Sequence, residues 1–318
     1  MIHGDAQRRH IWWLAAITIL LAASTASAQE FSFSLAITGY RTDTRFGEPS
    51  GLALSERANL IYLTDVKDAA LYVFNPEGVP KSIESDKAKI GAPYAVAVDK
   101  DSNAYVAAND AGPVKVIDSK GEVKSFEFEA PQGDQMPRPG RMAFDRDGNL
   151  YVVDRANSRL YVFDKDRKLK MRIGSKGSKR GEFRQLQDVA VDRQGRIYAL
   201  DALGIPVQVF DKKGKYLYRF GFHGAGDQDI GYPNGIALDR NEQVWIVDKG
   251  QHCLKVFDRA GEFLRRFGTY GVGEGTLFDP VDIEIDGFGK VYVAEAGARR
   301  LQVFTVSRPY ETFTPPGF

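Results

Sequence analysis

Arg141-Met142-Ala143-Phe144-Asp145, followed by Leu150-Tyr151-Val152-Val153-Asp154 and then Val162-Phe163-Asp164, decides the fold, because the chain repeats it. Asp188-Val189-Ala190-Val191-Asp192 leads in the same way to Ile197-Tyr198-Ala199-Leu200-Asp201 and Val209-Phe210-Asp211. Gly235-Ile236-Ala237-Leu238-Asp239 leads to Val244-Trp245-Ile246-Val247-Asp248 and Val256-Phe257-Asp258. Six copies align, with opening segments at 51–55, 95–99, 141–145, 188–192, 235–239 and 282–286. From Asp99 onward the closing aspartates recur every 46 or 47 residues, and the first interval, from Ser55, is 44. A fixed period of this length means a solenoid or a propeller. Within each copy the apolar side chains alternate with period two, and the β-branched and aromatic content selects strand over helix.

The joints between these strands are also readable. Asp145-Arg146-Asp147-Gly148, Asp192-Arg193-Gln194-Gly195 and Asp211-Lys212-Lys213-Gly214 place an acid first and a glycine fourth. The glycine supplies the positive φ that a tight hairpin needs. Each copy therefore predicts a four-stranded antiparallel sheet, its strands labelled a to d from the centre outward. Short a–b and c–d turns fall on one face. Longer b–c and d–a connections fall on the opposite face, where variable loops on a rigid scaffold usually bind.

Tyr232-Pro233-Asn234-Gly235-Ile236-Ala237-Leu238-Asp239, with Val244 to Asp258, Gly261-Glu262-Phe263 and Phe267-Gly268, resembles an NHL repeat. The resemblance extends over residues 31–304 and recurs six times, while tryptophan–aspartate pairs and double-glycine motifs of other propeller families are absent. It implies an all-β, six-bladed β-propeller with a central channel. NHL propellers are mostly platforms for protein, RNA or envelope components, and a minority of similar propellers are amidating lyases or gluconolactonase-type hydrolases. The sixth copy runs into Ser307-Arg308-Pro309 and Pro315-Pro316, a poor outer strand. Phe31, Phe33, Leu35 and Ile37 alternate with small polar residues and are expected to supply the missing strand.

Residues 1–28 read as a cleaved signal peptide: Arg8 and Arg9, an apolar run from Ile11 to Ala23, and Ala26-Ser27-Ala28. The run is shorter than the roughly 20 residues of a spanning helix, although an uncleaved anchor is the alternative. A periplasmic or extracellular propeller of residues 29–306 is expected, with no transmembrane anchor after cleavage. A tail, 307–318, follows with Tyr310, Phe313 and Phe318. Losing Asp5, Arg8 and Arg9 takes the formal charge from +1 to about zero, which gives no global attraction to nucleic acid. The single cysteine, Cys253, cannot form an internal disulfide.

Aligned copies show which positions break the rule. Ala53, Ala97, Ala143, Ala190 and Ala237 stand where the sixth copy has Glu284. Two residues earlier, on the same side, Gly51, Ala95, Arg141, Asp188 and Gly235 align with Asp282. Arg141, Asp188, Asp282 and Glu284 are expected to meet at the channel mouth, joined by Tyr94, Gln187 and Asn234. One reading is an oxygen cage for calcium held by Asp188, Asp282 and Glu284. The other is an internal salt-bridge network around Arg141. The b–c loops add Arg155, Lys249 and Arg299 as ligand-binding candidates. A zinc site of the amidating-lyase type, as the resemblance implies, needs three imidazoles, whereas only His223 and His252 survive signal removal. Lys168, Lys170, Arg172, Lys176, Lys179 and Arg180 form a basic cluster, either a solvated outer strand or a patch for acidic partners. The expected role is a non-catalytic scaffold that presents the b–c and d–a face to a protein or envelope polymer. The alternative is a calcium-dependent hydrolase or lactonase. Oligomeric state and ligand identity are not legible.

Overall fold

The computed structural model describes residues 31–306. The segment 1–28, read above as a signal peptide, and the tail 307–318 lie outside the described residues. The chain forms six four-stranded antiparallel sheets arranged as blades around a channel, so the fold is a six-bladed β-propeller. The innermost strands are Pro49–Ser55, Pro93–Val98, Pro139–Phe144, Leu186–Val191, Pro233–Leu238 and Pro280–Ile285. Among the described residues the one helix is the single turn Lys87–Ile90, and no helix is long and apolar enough to cross a membrane.

Each innermost strand begins earlier than the repeat pattern suggests. Five of the six start on proline, which lacks an N–H and is tolerated at the first position of a strand. Pro49, Pro139, Pro233 and Pro280 pair with Asp65, Asp154, Asp248 and Glu295, after which the register slips before the next pair forms. Such a bulge re-aims the side chains that follow it. Beyond the slip all six blades keep one register: Ala53, Ala97, Ala143, Ala190, Ala237 and Glu284 each face an aromatic residue of strand b.

The recurring acids tie the turns and loops. Asp145 Oδ1 accepts the N–H groups of Asp147 and Asn149, its Oδ2 accepts the Tyr151 hydroxyl, and Gly148 takes φ +81°. At the end of strand b, Asp248 accepts N–H groups from Gly231, Tyr232 and Gln251, which knits one b–c loop to the preceding d–a loop. Apolar side chains fill one core at each of the six seams between blades.

Blade 6 is completed by the strand Phe31–Ile37, which pairs antiparallel with Arg300–Val306 from Phe31↔Val306 to Ile37↔Leu301. Phe31 stacks on Phe304 at 4.3 Å between ring centroids and on Phe267 of blade 5 at 4.7 Å. At the other end Ile37 is buried in the core shared by blades 6 and 1. This one strand therefore packs across both seams that flank blade 6.

Candidate functional site at the channel mouth

The bulges place Arg141, Asp188 and Asp282 around the lumen, a cavity of about 250 Å³ lined by all six innermost strands. Arg141 is only 4% exposed and crosses the channel from blade 3. Its Nη1 forms an ion pair with Asp282 of blade 6, and Nη2 donates to the carbonyls of Ser50 (3.1 Å) and Val281 (2.5 Å). Its Nε lies 3.9 Å from Asp188 of blade 4 and has no hydrogen-bond partner. One guanidinium thus joins blades 1, 3, 4 and 6.

Both aspartates also cap backbone across a seam. Asp188 accepts the N–H of Val189 at 2.7 Å and of Ile236, in blade 5, at 2.9 Å. Asp282 accepts the N–H of Ile283 at 3.0 Å and of Leu52, in blade 1, at 2.7 Å. The small residues in the same column leave room for this. A Cβ at Gly235 would come 3.1 Å from Asp282 Oδ1, and one at Gly51 2.8 Å from backbone of Ala95.

Three carboxyls, Asp188, Asp282 and Glu284, share one guanidinium, so full ionisation would leave two uncompensated negative charges in a narrow protein-walled space. Burial pushes the Asp188 carboxyl up to about 7 against the pull of Arg141. Burial also raises Asp282, with Arg141 opposing. Glu284 is raised well above the usual carboxylate range by burial, then by the charges of Asp282 and Asp188. A carboxyl raised in this way favours the folded state at low pH. That contribution is complete below about 4 and is lost as pH rises through the folded value. Glu284→Gln, which keeps the shape and removes the charge, is expected to raise the melting temperature at pH 8 and change it little at pH 5. Parallel melting curves across that range check this; equal shifts at both pH values would rule out a charge effect.

A belt of amides surrounds the mouth. Gln187 Nε2 donates to Asn234 Oδ1 at 2.9 Å and reaches the Tyr94 hydroxyl at 3.4 Å, while Asn234 Nδ2 donates to the Val281 carbonyl at 2.6 Å. Arg155 lies over the Tyr94 ring at 4.0 Å and donates to the Asn109 carbonyl at 2.9 Å. Tyr94, Arg141, Arg155, Gln187, Asp188, Asn234 and Asp282 are thus one connected constellation, with Glu284 in the next ring of the channel. Lys249 and Arg299 stay on their loops: Lys249 pairs with Asp279 at 3.1 Å, and Arg299 donates to the Phe46 carbonyl. Among the described residues no three His, Cys, Asp or Glu side chains are grouped to hold a metal ion. Asp188 and Asp282 face Arg141 instead.

Comparison with known families fits this geometry. Residues 231–257 match the NHL repeat model. The chain carries an NHL repeat. Residues 140–205 match a family described as a 6-bladed beta-propeller. Among solved structures, the propeller is similar to a Bacteroides thetaiotaomicron protein of unknown function (TM-score 0.68, 18% identity, 88% of this chain and 76% of that one). It is also similar to a catalytically inactive virginiamycin B lyase from Staphylococcus aureus with quinupristin (TM-score 0.63, 13% identity, 87% and 100%). A third is a gluconolactonase from Xanthomonas campestris (TM-score 0.62, 15% identity, 89% and 96%). At these identities the likeness is one of fold. No curated protein matches the chain.

The remaining chemical candidates of the propeller are placed by the same framework. Cys253 is fully buried, and burial pushes its thiol up to about 11, away from nucleophilic duty. His252 Nδ1 accepts the Asp279 N–H at 3.0 Å, and the ring packs against Tyr270 and Phe278. His223 Nε2 lies 2.7 Å from the Gly204 carbonyl. One element was missed: Lys255 in strand c is fully buried, and its ammonium donates to the carbonyls of Gly226, Asp227 and Asp229 at 2.6–3.0 Å. Gln208 and Gln302 occupy the equivalent position in blades 4 and 6 and hold the corresponding loops. A polar column inside an apolar strand was the available signal.

Proposed function

We propose that this propeller is an exported, non-catalytic binding scaffold whose b–c and d–a loop face receives a protein or cell-envelope polymer. The observation that carries this reading is a division of labour between channel and rim. At the mouth most polar side-chain bonds run to one another and to backbone, with Arg141 Nε left without one, and the central cation is an arginine whose partners are internal. On the loop face, Met136, Leu203, Phe222, Tyr270 and Val272 are each at least half exposed. Exposed apolar side chains rimmed by charge mark interaction surfaces more often than solvated ones.

The triple substitution Phe222→Ser, Tyr270→Ser, Val272→Ser tests this. Retention of the purified propeller on washed envelope material is expected to fall about tenfold or more in the variant, with an unchanged melting temperature. Undiminished retention would overturn the reading. The alternative, a calcium-dependent hydrolase or lactonase like the gluconolactonase it resembles in fold, predicts one equivalent of calcium in the purified protein, lost in Glu284→Ala, together with turnover of lactone substrates.

A further inference from the structure

On the same loop face, at the junction of blades 3 and 4, lies a groove of about 290 Å³ that is separate from the channel. Its walls come from the d–a loop that enters blade 4, the b–c loop of blade 4 and the d–a loop that leaves it, with Gln208 and Arg219 added by the two outer strands of blade 4. Lys179, Arg184 and Arg219 line it, all three exposed, together with His223. None of these three cations is ion-paired among the described residues. The two acids in the same walls form no ion pair with them and are turned to backbone instead. Asp201 is 1% exposed and accepts four backbone N–H groups, from Arg184, Gln185, Leu203 and Gly204, at 2.8–3.1 Å. Glu182 turns back on its own loop and accepts the N–H groups of Ser178 and Lys179 at 3.1 and 3.0 Å.

We infer that this groove binds a phosphate group carried by a larger ligand, an inference that rests on the loop face being the binding surface. Two arginines and a lysine around one concavity supply the planar forks and the point charge that suit a phosphate better than a single carboxylate. Lys176 and Arg180 stand exposed beside them on the same loop and extend the positive field along one direction. Leu203, half exposed, and Ile205 add apolar surface to the lining, which suits the carbon skeleton that bears the phosphate. The loop backbone that carries Lys179 and Arg184 is held rigidly. Gly181 N–H donates to Gln208 at 2.9 Å, and Gln208 donates back to the Glu182 carbonyl at 2.7 Å. Lys179 and Arg184 therefore branch from a tethered backbone, and Arg219 from a strand.

Calorimetric titration with inorganic phosphate and with a polyphosphate chain, each at two salt concentrations, tests the assignment. Saturable binding at one site per chain is expected, weakened about tenfold or more in Arg184→Gln/Arg219→Gln and unchanged in Lys165→Gln/Lys168→Gln, which lies outside the groove. Tight binding of both probes indicates free phosphate as sufficient ligand, and binding of the chain alone indicates a polymer-borne source. Equal loss in both double variants, or no loss in either, would overturn the groove and leave only diffuse charge. The Phe222, Tyr270, Val272 variant separates the two readings. If it keeps phosphate binding and also keeps envelope retention, the apolar rim fails while the groove stands. If the arginine variant alone is silent, the groove fails and the rim stands.

Discussion

Arg141→Met is expected to destabilise the propeller by about 3–5 kcal/mol at neutral pH, the usual cost of leaving a buried charge without its partner. The side chain spans the lumen, and its loss removes the ion pair to Asp282, two bonds to the Ser50 and Val281 carbonyls, and the nearest cation to Asp188. Methionine fills similar volume without charge, so the effect reads electrostatics more than a cavity. The loss should also depend on pH with a definite sign. Without the guanidinium, both aspartates titrate higher still, so the variant's deficit shrinks as the solution is acidified and they protonate. Adding Asp282→Asn to Arg141→Met should recover a substantial part of the loss, because the orphaned charge is then gone. Chemical denaturation of the four members of this cycle at pH 5 and pH 8 measures all of it. A deficit equal at both pH values, or no recovery in the double variant, would mean that Arg141 acts through packing alone.

Deleting residues 31–37 is expected to have the other large effect. Ile37, buried, and Phe31, Phe33 and Leu35, partly buried, leave the seams with blades 5 and 1; full burial is worth about 1.5–3 kcal/mol per side chain, of which the last three contribute a part each. Their sum is comparable to the roughly 5–15 kcal/mol that holds a whole domain together. The deletion also strips the strand Arg300–Val306 of its hydrogen-bonding neighbour and opens an edge prone to pairing with other chains. The expected outcome is a broad, non-cooperative melt with aggregation. A single sharp transition near the parent temperature would show that the ring closes without this strand.

Much of this architecture was legible because the chain repeats itself. The alanine column with Glu284 as its exception could be read from alignment, and the two aspartates followed from the period-two pattern. What could not be read is what these side chains do. Arg141 finds carbonyl acceptors at Ser50 and Val281, and nothing in a sequence says which carbonyls at a strand start are left free. Lys249 and Arg299 were placed correctly on b–c loops, but their partners, Asp279 and Phe46, come from the connection to the next blade and hold them there. The early start of each innermost strand was hidden because the repeated pattern itself begins two residues later, whereas the proline before it tolerates the first ladder position. Lys255 escaped for a similar reason: a charged residue inside a strand suggests solvent, yet here three loop carbonyls replace it.

The strand that completes blade 6 has a consequence for the order of events in the life of the chain. Ser32 bonds to Thr305, 273 positions away, so the first strand of the propeller in chain order pairs with the last. Blades 1 to 5 can each assemble as they emerge, since their four strands are consecutive. The sixth waits for both ends. Until Arg300–Val306 is made, the strand 31–37 lacks the neighbour it pairs with in the finished ring. Whatever machinery handles the nascent chain therefore meets that segment before its partner exists.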